Sequence, residues 1–284
     1  MQKYLTPKTK KMKRSLFVIG LVLYCIPLYS WDLLGNAGAR GSSMGGCSVA
    51  LCDFWSAQNN PAGIARWKSF SAGMSYENRF LMKELSYYNA AAVLPLNIGS
   101  FGLTFSRFGY EDYNENKIGI AYARQLGPHL RMGLQLDYLS FKFSGDYAKR
   151  QTATFELGLQ SDITEKLTIG VYVFNPINIK LKTIHKQKIP IVLRMGLLYK
   201  ITDDFSATTE IEYNTDKDFD YRFGLEYLAT RNFYIRAGVH TKPATASVGV
   251  GYSIRRFIID VAASMNQHTG VSFQTSIVFN IKEI

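Results

Sequence analysis

Charged side chains are separated by apolar ones through the second half of the chain, and their types and spacing could support chemistry. They are Arg194, Glu210, Glu212, Arg222, Glu226, Arg236 and Asp260. If these segments are strands, alternation places all seven side chains on one face, with opposite charges on neighbouring strands. One interpretation is a polar lining that steers a solute or a partner segment. The spacing favours the other, a ladder of ion pairs that braces the strands.

Histidines could supply acid–base chemistry, so a hydrolytic site has to be considered. The chain contains His129, His185, His240 and His268. A lipid hydrolase needs a serine, a histidine and a third group that orients the imidazole. Ser264 and His268 are the nearest such pair, and no orienting carboxylate accompanies them in the sequence. We therefore expect no catalytic residue and no enzyme.

Two cysteines, Cys47 and Cys52, lie near each other before the strands begin. In an oxidising compartment they could form a disulfide across a short loop. Alternatively, both could fill positions for small residues in a packed segment, which we favour. Neither lies beside a cluster of His, Asp or Glu at metal-ligand spacing. We expect no metal and no cofactor.

From about residue 68 to residue 281 the chain repeats segments of about ten residues that alternate between apolar and polar side chains. The pattern predicts about 14 strands, near residues 68–79, 86–95, 98–108, 116–126, 130–143, 150–161, 166–174, 189–201, 205–214, 219–228, 232–240, 244–253, 256–265 and 270–281. An even number of strands of this length is typical of an antiparallel transmembrane β-barrel with a polar lumen. The sequence therefore predicts an all-β fold whose apolar faces contact lipid.

A water-soluble β-sandwich alternates in the same way and is the alternative fold. The chain has 18 Tyr and 18 Phe. Many of them stand at the ends of the apolar faces, where membrane barrels carry aromatic girdles, so the barrel is favoured. Two strands look irregular. Gly99 and Gly102 predict a kink in the third strand, and a phase shift of apolar residues after Tyr138 predicts a bulge in the fifth strand or its departure from the membrane.

Residues 1–30 have the pattern of a cleaved secretory signal peptide: basic residues, then a short apolar run that ends at Ser30. Six of the 33 basic residues of the chain lie in this segment, so its removal lowers the formal net charge from +11 to +5. The remaining surplus is scattered and no nucleic-acid motif is present, so we expect no nucleic-acid partner. The leader and the strands together predict a multi-pass barrel in the outer membrane of the cell.

The segment between the leader and the first strand, residues 31–67, is rich in small residues. Gly38-Ala-Arg-Gly-Ser-Ser-Met-Gly-Gly46 is followed by the acidic Asp53 and then by Asn60-Pro-Ala-Gly-Ile64. Glycine and small residues let one backbone pack closely against another, which suits a plug folded inside a barrel. With about 14 strands after it, this order resembles the FadL superfamily of outer-membrane barrels. Within this superfamily, the sequence of residues 38–64 most resembles the branch that includes PorV and PorQ, proteins associated with type IX secretion.

The resemblance implies a barrel over residues 68–284 with residues 31–67 as a hatch inside its lumen. It marks Arg40, Gly45, Gly46, Asn60, Pro61, Ala62 and Gly63 as the hatch signature. It implies two alternative functions. The first is passage of small hydrophobic molecules across the outer membrane, and the second is a role as a partner or structural component in type IX secretion or another envelope assembly. The expected partners are outer-membrane lipid and either a hydrophobic ligand or secretion and envelope proteins.

The chain is short for a transporter of this superfamily. About 254 residues remain after residue 30, which leaves little for long extracellular loops. The longest insert, residues 175–188, is basic and polar and is an unsuitable entry for an apolar molecule. Short loops and a charged lumen favour the partner role, whereas the hatch signature favours passage.

Overall fold

The computed structural model describes residues 35–142, 149–179 and 189–281. Within these ranges the chain forms fourteen strands: β1 Ser71–Asn78, β2 Ser86–Leu96, β3 Gly99–Gly109, β4 Asn114–Gln125, β5 Leu130–Lys142, β6 Arg150–Asp162, β7 Leu167–Phe174, β8 Val192–Lys200, β9 Phe205–Asn214, β10 Lys217–Thr230, β11 Phe233–Thr241, β12 Ala244–Ile254, β13 Phe257–Asn266 and β14 Gly270–Asn280. The predicted all-β fold is confirmed, with strand limits within a few residues of those read from alternation. The predicted signal peptide lies outside the described residues.

The strands form one closed antiparallel barrel. Each strand pairs with its neighbours in the sequence, and β1 pairs with β14 from Ser71 opposite Asn280 to Asn78 opposite Phe273. Closure pairs the strand edges that an open sheet would leave exposed, which is the condition for a sheet to span a membrane.

The outer surface of the barrel is apolar. Met74, Ile120 and Leu136 are 63%, 62% and 61% exposed, while the residues that alternate with them face the lumen and are buried. Aromatic rings of neighbouring strands pack in tilted pairs near both ends of the barrel. The centroid distances are 5.1 Å for Tyr76 and Tyr88, 5.0 Å for Phe101 and Tyr122, and 5.2 Å for Phe257 and Phe279. A wall with this surface is stable in lipid and would aggregate in water.

In the described part of the chain, each helix is too short or too polar to cross a membrane.

The two ends of the barrel differ in the length of their connections. The six connections that follow β2, β4, β6, β8, β10 and β12 have two to four residues. We call this end the turn end, and the opposite end, with the connection 79–85, the loop end. In single-chain bacterial barrels the short turns face the periplasm.

Residues 35–67, which we call the inner segment, lie inside the barrel. The segment contains two short α-helices, α1 (Ala39–Ser43) and α2 (Ser56–Asn59), and a 3-10 helix, Pro61–Arg66. Helix α1 contacts β11 to β14, whereas the 3-10 helix contacts β2 to β6 on the other side of the wall. The inner segment therefore crosses the lumen.

The predicted kink at Gly99 and Gly102 was wrong. Strand β3 pairs with β2 and with β4 without a register shift. Gly99 begins the strand after a two-residue turn with φ at +142°, and Gly102 faces the lumen, where an added Cβ would lie 3.3 Å from Ile64 Cδ1. The missing side chain at Gly102 makes room for the inner segment and leaves the hydrogen bonds of the strand intact.

The predicted bulge after Tyr138 was wrong as well. Strand β5 pairs with β4 and β6 in one continuous register. The apolar residues that suggested a phase shift, Leu139 and Phe141, face the lumen and are 0% and 2% exposed. Phe174 and Val192, near the same end of β7 and β8, are buried as well, so the inner face is apolar at these positions near the loop end.

Candidate functional site

A belt of glycines lines the lumen where the inner segment meets the wall. Among the described residues, its members are Gly73, Gly102, Gly133, Gly158, Gly170, Gly196, Gly224, Gly238 and Gly249. A Cβ on Gly170 would collide with the backbone at Val49, and one on Gly238 would collide with the backbone at Gly45. The wall thus lets another backbone approach as closely as a glycine allows.

Gly45 and Gly46, two residues of the predicted hatch signature, form the closest approach of the inner segment to β10 and β11. Their φ angles of +67° and +83° lie in the left-handed region, which favours glycine. A Cβ on Gly45 would also lie 2.5 Å from the Val239 carbonyl oxygen and 2.8 Å from that of Phe223. Conformation and space both require glycine at Gly45.

The Asn60 side chain holds the start of the 3-10 helix. Its Oδ1 accepts a hydrogen bond from the Ala62 backbone N–H at 3.2 Å, which is the bond of a helix N-cap. Its Nδ2 donates to the Val49 carbonyl at 2.7 Å. Pro61 takes the first helical position, where its missing N–H is not needed, and Gly63 packs against Ser56 and the carbonyl of Leu51. This signature therefore joins the two halves of the inner segment.

Arg40 connects the inner segment to the wall. Its Nη2 and Nε donate to the two carboxylate oxygens of Glu226 at 2.7 and 2.9 Å, and its Nη1 donates to Asp53 at 3.2 Å. Burial lowers the pKa of the Arg40 guanidinium, but Glu226 and Asp53 raise it by more, so its net pKa lies above the ordinary value. Glu226 also accepts from Arg236 at 2.6 Å, and Arg236 donates to Asp260 at 2.7 Å.

Glu210 holds a second part of the inner segment. One of its carboxylate oxygens accepts from the backbone N–H groups of Ser48 and Val49 at 2.8 and 2.9 Å. Its other oxygen accepts from Arg222 at 3.1 Å, and Arg222 also lies 2.7 Å from Glu212. A carboxylate that accepts two backbone bonds and pairs with an arginine is a strong, oriented anchor.

The structure brings all seven residues of the predicted charge ladder into the lumen, in two groups. On β8 to β10 these are Arg194, Glu210, Glu212 and Arg222, and on β10 to β13 they are Glu226, Arg236 and Asp260. Pairs on neighbouring strands lie within salt-bridge distance, for example Arg194 and Glu212 at 2.7 Å. Both groups also bond the inner segment, a role that parity along the strands did not reveal.

Other polar residues that hold the inner segment were missed from the sequence. Gln160 Nε2 on β6 donates to the carbonyls of Val49 and Leu51 at 2.9 and 2.8 Å. Gln58 of the segment donates to the Phe105 carbonyl at 2.9 Å. The alternation of apolar and polar residues along β6 places Gln160 on the inner face, so the same pattern could have identified it.

A separate buried pair, Lys117 and Glu156, lies in the lumen at 2.6 Å. Lys117 is on β4 and Glu156 on β6, so the bond passes over the intervening β5. This ion pair connects β4 and β6, as the arginine groups connect the strands from β8 to β13. It was not predicted from the sequence.

Cys47 and Cys52 are both free. Burial, and then the charge of Glu210, raises the pKa of the Cys47 thiol, and burial raises that of Cys52. Such thiols stay protonated and react slowly. Cys52 Sγ lies 3.0 Å from Oε1 of Gln160, to which it donates.

The structure gives no orienting carboxylate to the His268 ring within the described residues, where its contact is with Gln267 at 3.1 Å. The described residues also contain no group of three or more His, Cys, Asp or Glu side chains that could hold a metal ion.

A cavity of about 150 Å³ lies at the turn end of the lumen, between the inner segment and β11 to β14. Its apolar walls include Phe54, Trp67 and Ile258, and Arg236 and Asp260 supply polar groups. Outside this cavity the lumen around the inner segment is packed, with Val49, Ala57 and Ile64 all 0% exposed.

The structure aligns with solved membrane channels over most of its length. The CymD monoaromatic hydrocarbon channel is 14% identical, with a TM-score of 0.67 over 89% of this chain and 100% of that one. The toluene transporter TbuX of Ralstonia pickettii is 14% identical, with a TM-score of 0.63 over 88% and 99%. A FadL homologue of Pseudomonas aeruginosa is 14% identical, with a TM-score of 0.64 over 86% and 98%. The chain shares its fold with these channels.

No family model matches the chain, and no curated protein matches it. The narrower resemblance to PorV and PorQ stays a prediction.

Proposed function

We propose that this protein is an outer-membrane channel for the passage of small hydrophobic molecules, and that the inner segment is its hatch. The observation that carries the proposal is the shared fold with channels for toluene and monoaromatic hydrocarbons, together with a segment that crosses the lumen. A fold by itself does not determine a function, so the chemistry of the lumen has to agree with it.

The bonds between the inner segment and the wall agree with a hatch. They include hydrogen bonds and ion pairs, such as Glu210 to Ser48 and Gln160 to Leu51, beside an apolar cluster in which Phe54 and Ile64 pack against the wall. Groups of this kind can exchange their partners for water when the segment moves, whereas a dry apolar contact would lose its stabilisation. Because the packed segment blocks a straight route, passage requires it to rearrange.

The outer surface supports a location in the outer membrane. Its apolar side chains, with aromatic rings near both ends, match the belt of a bacterial barrel. With residues 1–30 as the predicted signal peptide, we expect the mature protein in the outer-membrane fraction after cell lysis. Its migration on a denaturing gel should change on heating, as for a closed barrel.

The test is uptake with the inner segment free or tethered. Gln160→Cys places a second thiol near Cys52, since Cys52 Sγ lies 3.0 Å from the Gln160 amide. Because its raised pKa slows the reaction of Cys52, a short reversible methanethiosulfonate crosslinker is applied at alkaline pH, where it should join the two thiols. In outer-membrane vesicles, whose lipopolysaccharide leaflet slows the entry of apolar molecules, we expect entry of radiolabelled toluene above the rate of vesicles without the protein before crosslinking. The rate should fall near theirs after crosslinking and recover with reductant.

Gln160→Ala, treated with the same reagent, is the matched control and should keep its activity. Equal toluene entry in the crosslinked and reduced proteins would rule out the hatch. For the untreated protein, entry no faster than in vesicles without the protein would rule out the channel.

The alternative from the sequence is a partner role in type IX secretion or another envelope assembly. Neither the contacts of the described residues nor the fold shared with the hydrocarbon channels favours it. Stoichiometric protein partners after gentle detergent extraction would be the observation in its support.

A further inference from the structure

The cavity at the turn end has walls of two kinds. Four aromatic rings line it, those of Phe54, Trp55, Trp67 and Tyr234. Ile258 and Val278 add aliphatic surface from β13 and β14. Arg236 and Asp260 contribute charged groups that are 4% and 3% exposed. A mostly apolar cavity with a few converging polar groups is the usual form of a small-molecule site.

The size of the cavity restricts what it can hold. Its volume is about 150 Å³. An engineered apolar cavity of about 150 Å³ in another protein binds benzene. One aromatic ring with a small substituent therefore fits, whereas a long acyl chain does not.

The polar groups of the cavity have atoms left to bond a ligand. Arg236 donates through Nε to Glu226 and through Nη1 to Asp260 Oδ1. These bonds leave capacity on both side chains, since a guanidinium has five N–H donors and a carboxylate has two acceptor oxygens. Trp55 Nε1, which also lines the cavity, has no hydrogen-bond partner among the described residues. A hydroxyl group can donate to a carboxylate and accept from a guanidinium at the same time.

The charge of the cavity selects against anions. The charged residues that line the cavity are two of each sign, Arg40, Arg236, Asp53 and Asp260. Glu226 pairs with both arginines from outside the lining and gives the linked network one negative charge in excess when all five groups are ionised. A carboxylate ligand would add a second negative charge in a site of low dielectric, which is unfavourable.

We propose that this cavity binds neutral phenols, molecules of one aromatic ring with a hydroxyl group. The ring packs against Phe54, Trp67 and Ile258, and the hydroxyl bonds Asp260 and Arg236. The inference rests on the proposed function in that it names a class of molecule for the same lumen, at the turn end, where a molecule would leave the channel.

The test is binding to the full-length protein in detergent micelles, followed by fluorine NMR. The probes are 4-fluorophenol, fluorobenzene and 4-fluorobenzoate, which differ in the hydroxyl and in charge. We expect saturable binding of 4-fluorophenol. A site built to bond a hydroxyl rejects fluorobenzene, which lacks it, and the excess negative charge rejects the 4-fluorobenzoate anion. Both should bind at least about tenfold more weakly than 4-fluorophenol.

Variants that fill the cavity locate the site. Ile258→Trp should abolish binding of 4-fluorophenol, and Val278→Phe tests the same space if the first variant does not assemble. Leu198→Trp is the matched control, since Leu198 also points into the lumen near the turn end but on β8, outside the cavity. It should bind as the unaltered protein does.

Retained binding in a folded Ile258→Trp or Val278→Phe variant would overturn the assignment. So would the absence of saturable binding, or affinity for fluorobenzene or 4-fluorobenzoate equal to that for 4-fluorophenol. Because binding is measured without passage, a protein that passes toluene and does not bind 4-fluorophenol refutes this inference alone. A protein that binds it and passes no toluene refutes the proposed function alone.

Discussion

Glu226 is the residue that joins the inner segment to the charge network of β10 to β13. It accepts from Arg40 of the inner segment and from Arg236 of the wall at 2.9 and 2.6 Å through one oxygen. Its side chain is 10% exposed, so water replaces little of what a substitution removes. Two guanidinium groups would then face each other in the lumen without the carboxylate between them.

Glu226→Gln should lower the free energy of unfolding by about 3–5 kcal/mol, the cost of breaking a buried ion pair from one side. Urea unfolding in micelles, followed by circular dichroism, measures it. Hydrogen exchange should rise first in the inner segment near Arg40. The matched control is Glu165→Gln in an exposed turn, expected within about 0.5 kcal/mol of the unaltered protein. If both variants lose the same free energy of unfolding, Glu226 does not anchor the inner segment to the wall.

At the scale of the elements, the glycine belt explains how a strand wall and a folded segment fit together. Gly170→Ala on β7 would drive a Cβ into the carbonyl of Val49. Overpacking of this kind costs about 1–3 kcal/mol, and we expect a loss of stability in that range. Gly127→Ala, where nothing lies within 4 Å of the added Cβ, should change stability little. Thermal unfolding in micelles compares the stability of the two variants. An equal loss of stability would contradict the claim that the belt glycines make room for the inner segment.

Alternation predicted the strands well, because a wall between lipid and a polar lumen repeats every two residues in every strand. It placed Glu210 and Arg222 on the inner face for the same reason. It could not predict the bond between Arg40 and Glu226, which are 186 residues apart in the sequence. That bond depends on the path of the inner segment through the lumen, and this path cannot be predicted from a periodic sequence pattern.

The same limit explains the error at Gly102. A glycine within a strand indicates either a kink or a close approach of other atoms. The sequence of β3 is the same in both cases. Here the close approach is that of Ile64, which lies opposite Gly102. Ile64 belongs to a segment without a repeating pattern, so the sequence of β3 could not indicate it.

At the scale of the whole molecule, the number of strands explains why the lumen contains the inner segment. Eight strands enclose a lumen that side chains can fill, and 16–18 strands leave an aqueous channel. Fourteen strands fall between these limits, and glycines on the inner face widen the lumen further. The wall alone would therefore enclose water, and the inner segment occupies that space.

Deletion of residues 35–67 should leave a folded barrel that conducts ions. The backbone hydrogen bonds of the wall run from strand to strand and close between β1 and β14, so they do not need the inner segment. In planar bilayers we expect stable conductance steps from the deletion variant and almost none from the full-length protein in the same lipid. Circular dichroism and a heat-dependent shift on gels would show that the variant has folded. A folded deletion variant without conductance would mean that wall side chains close the lumen themselves, for example through pairs such as Lys117 and Glu156.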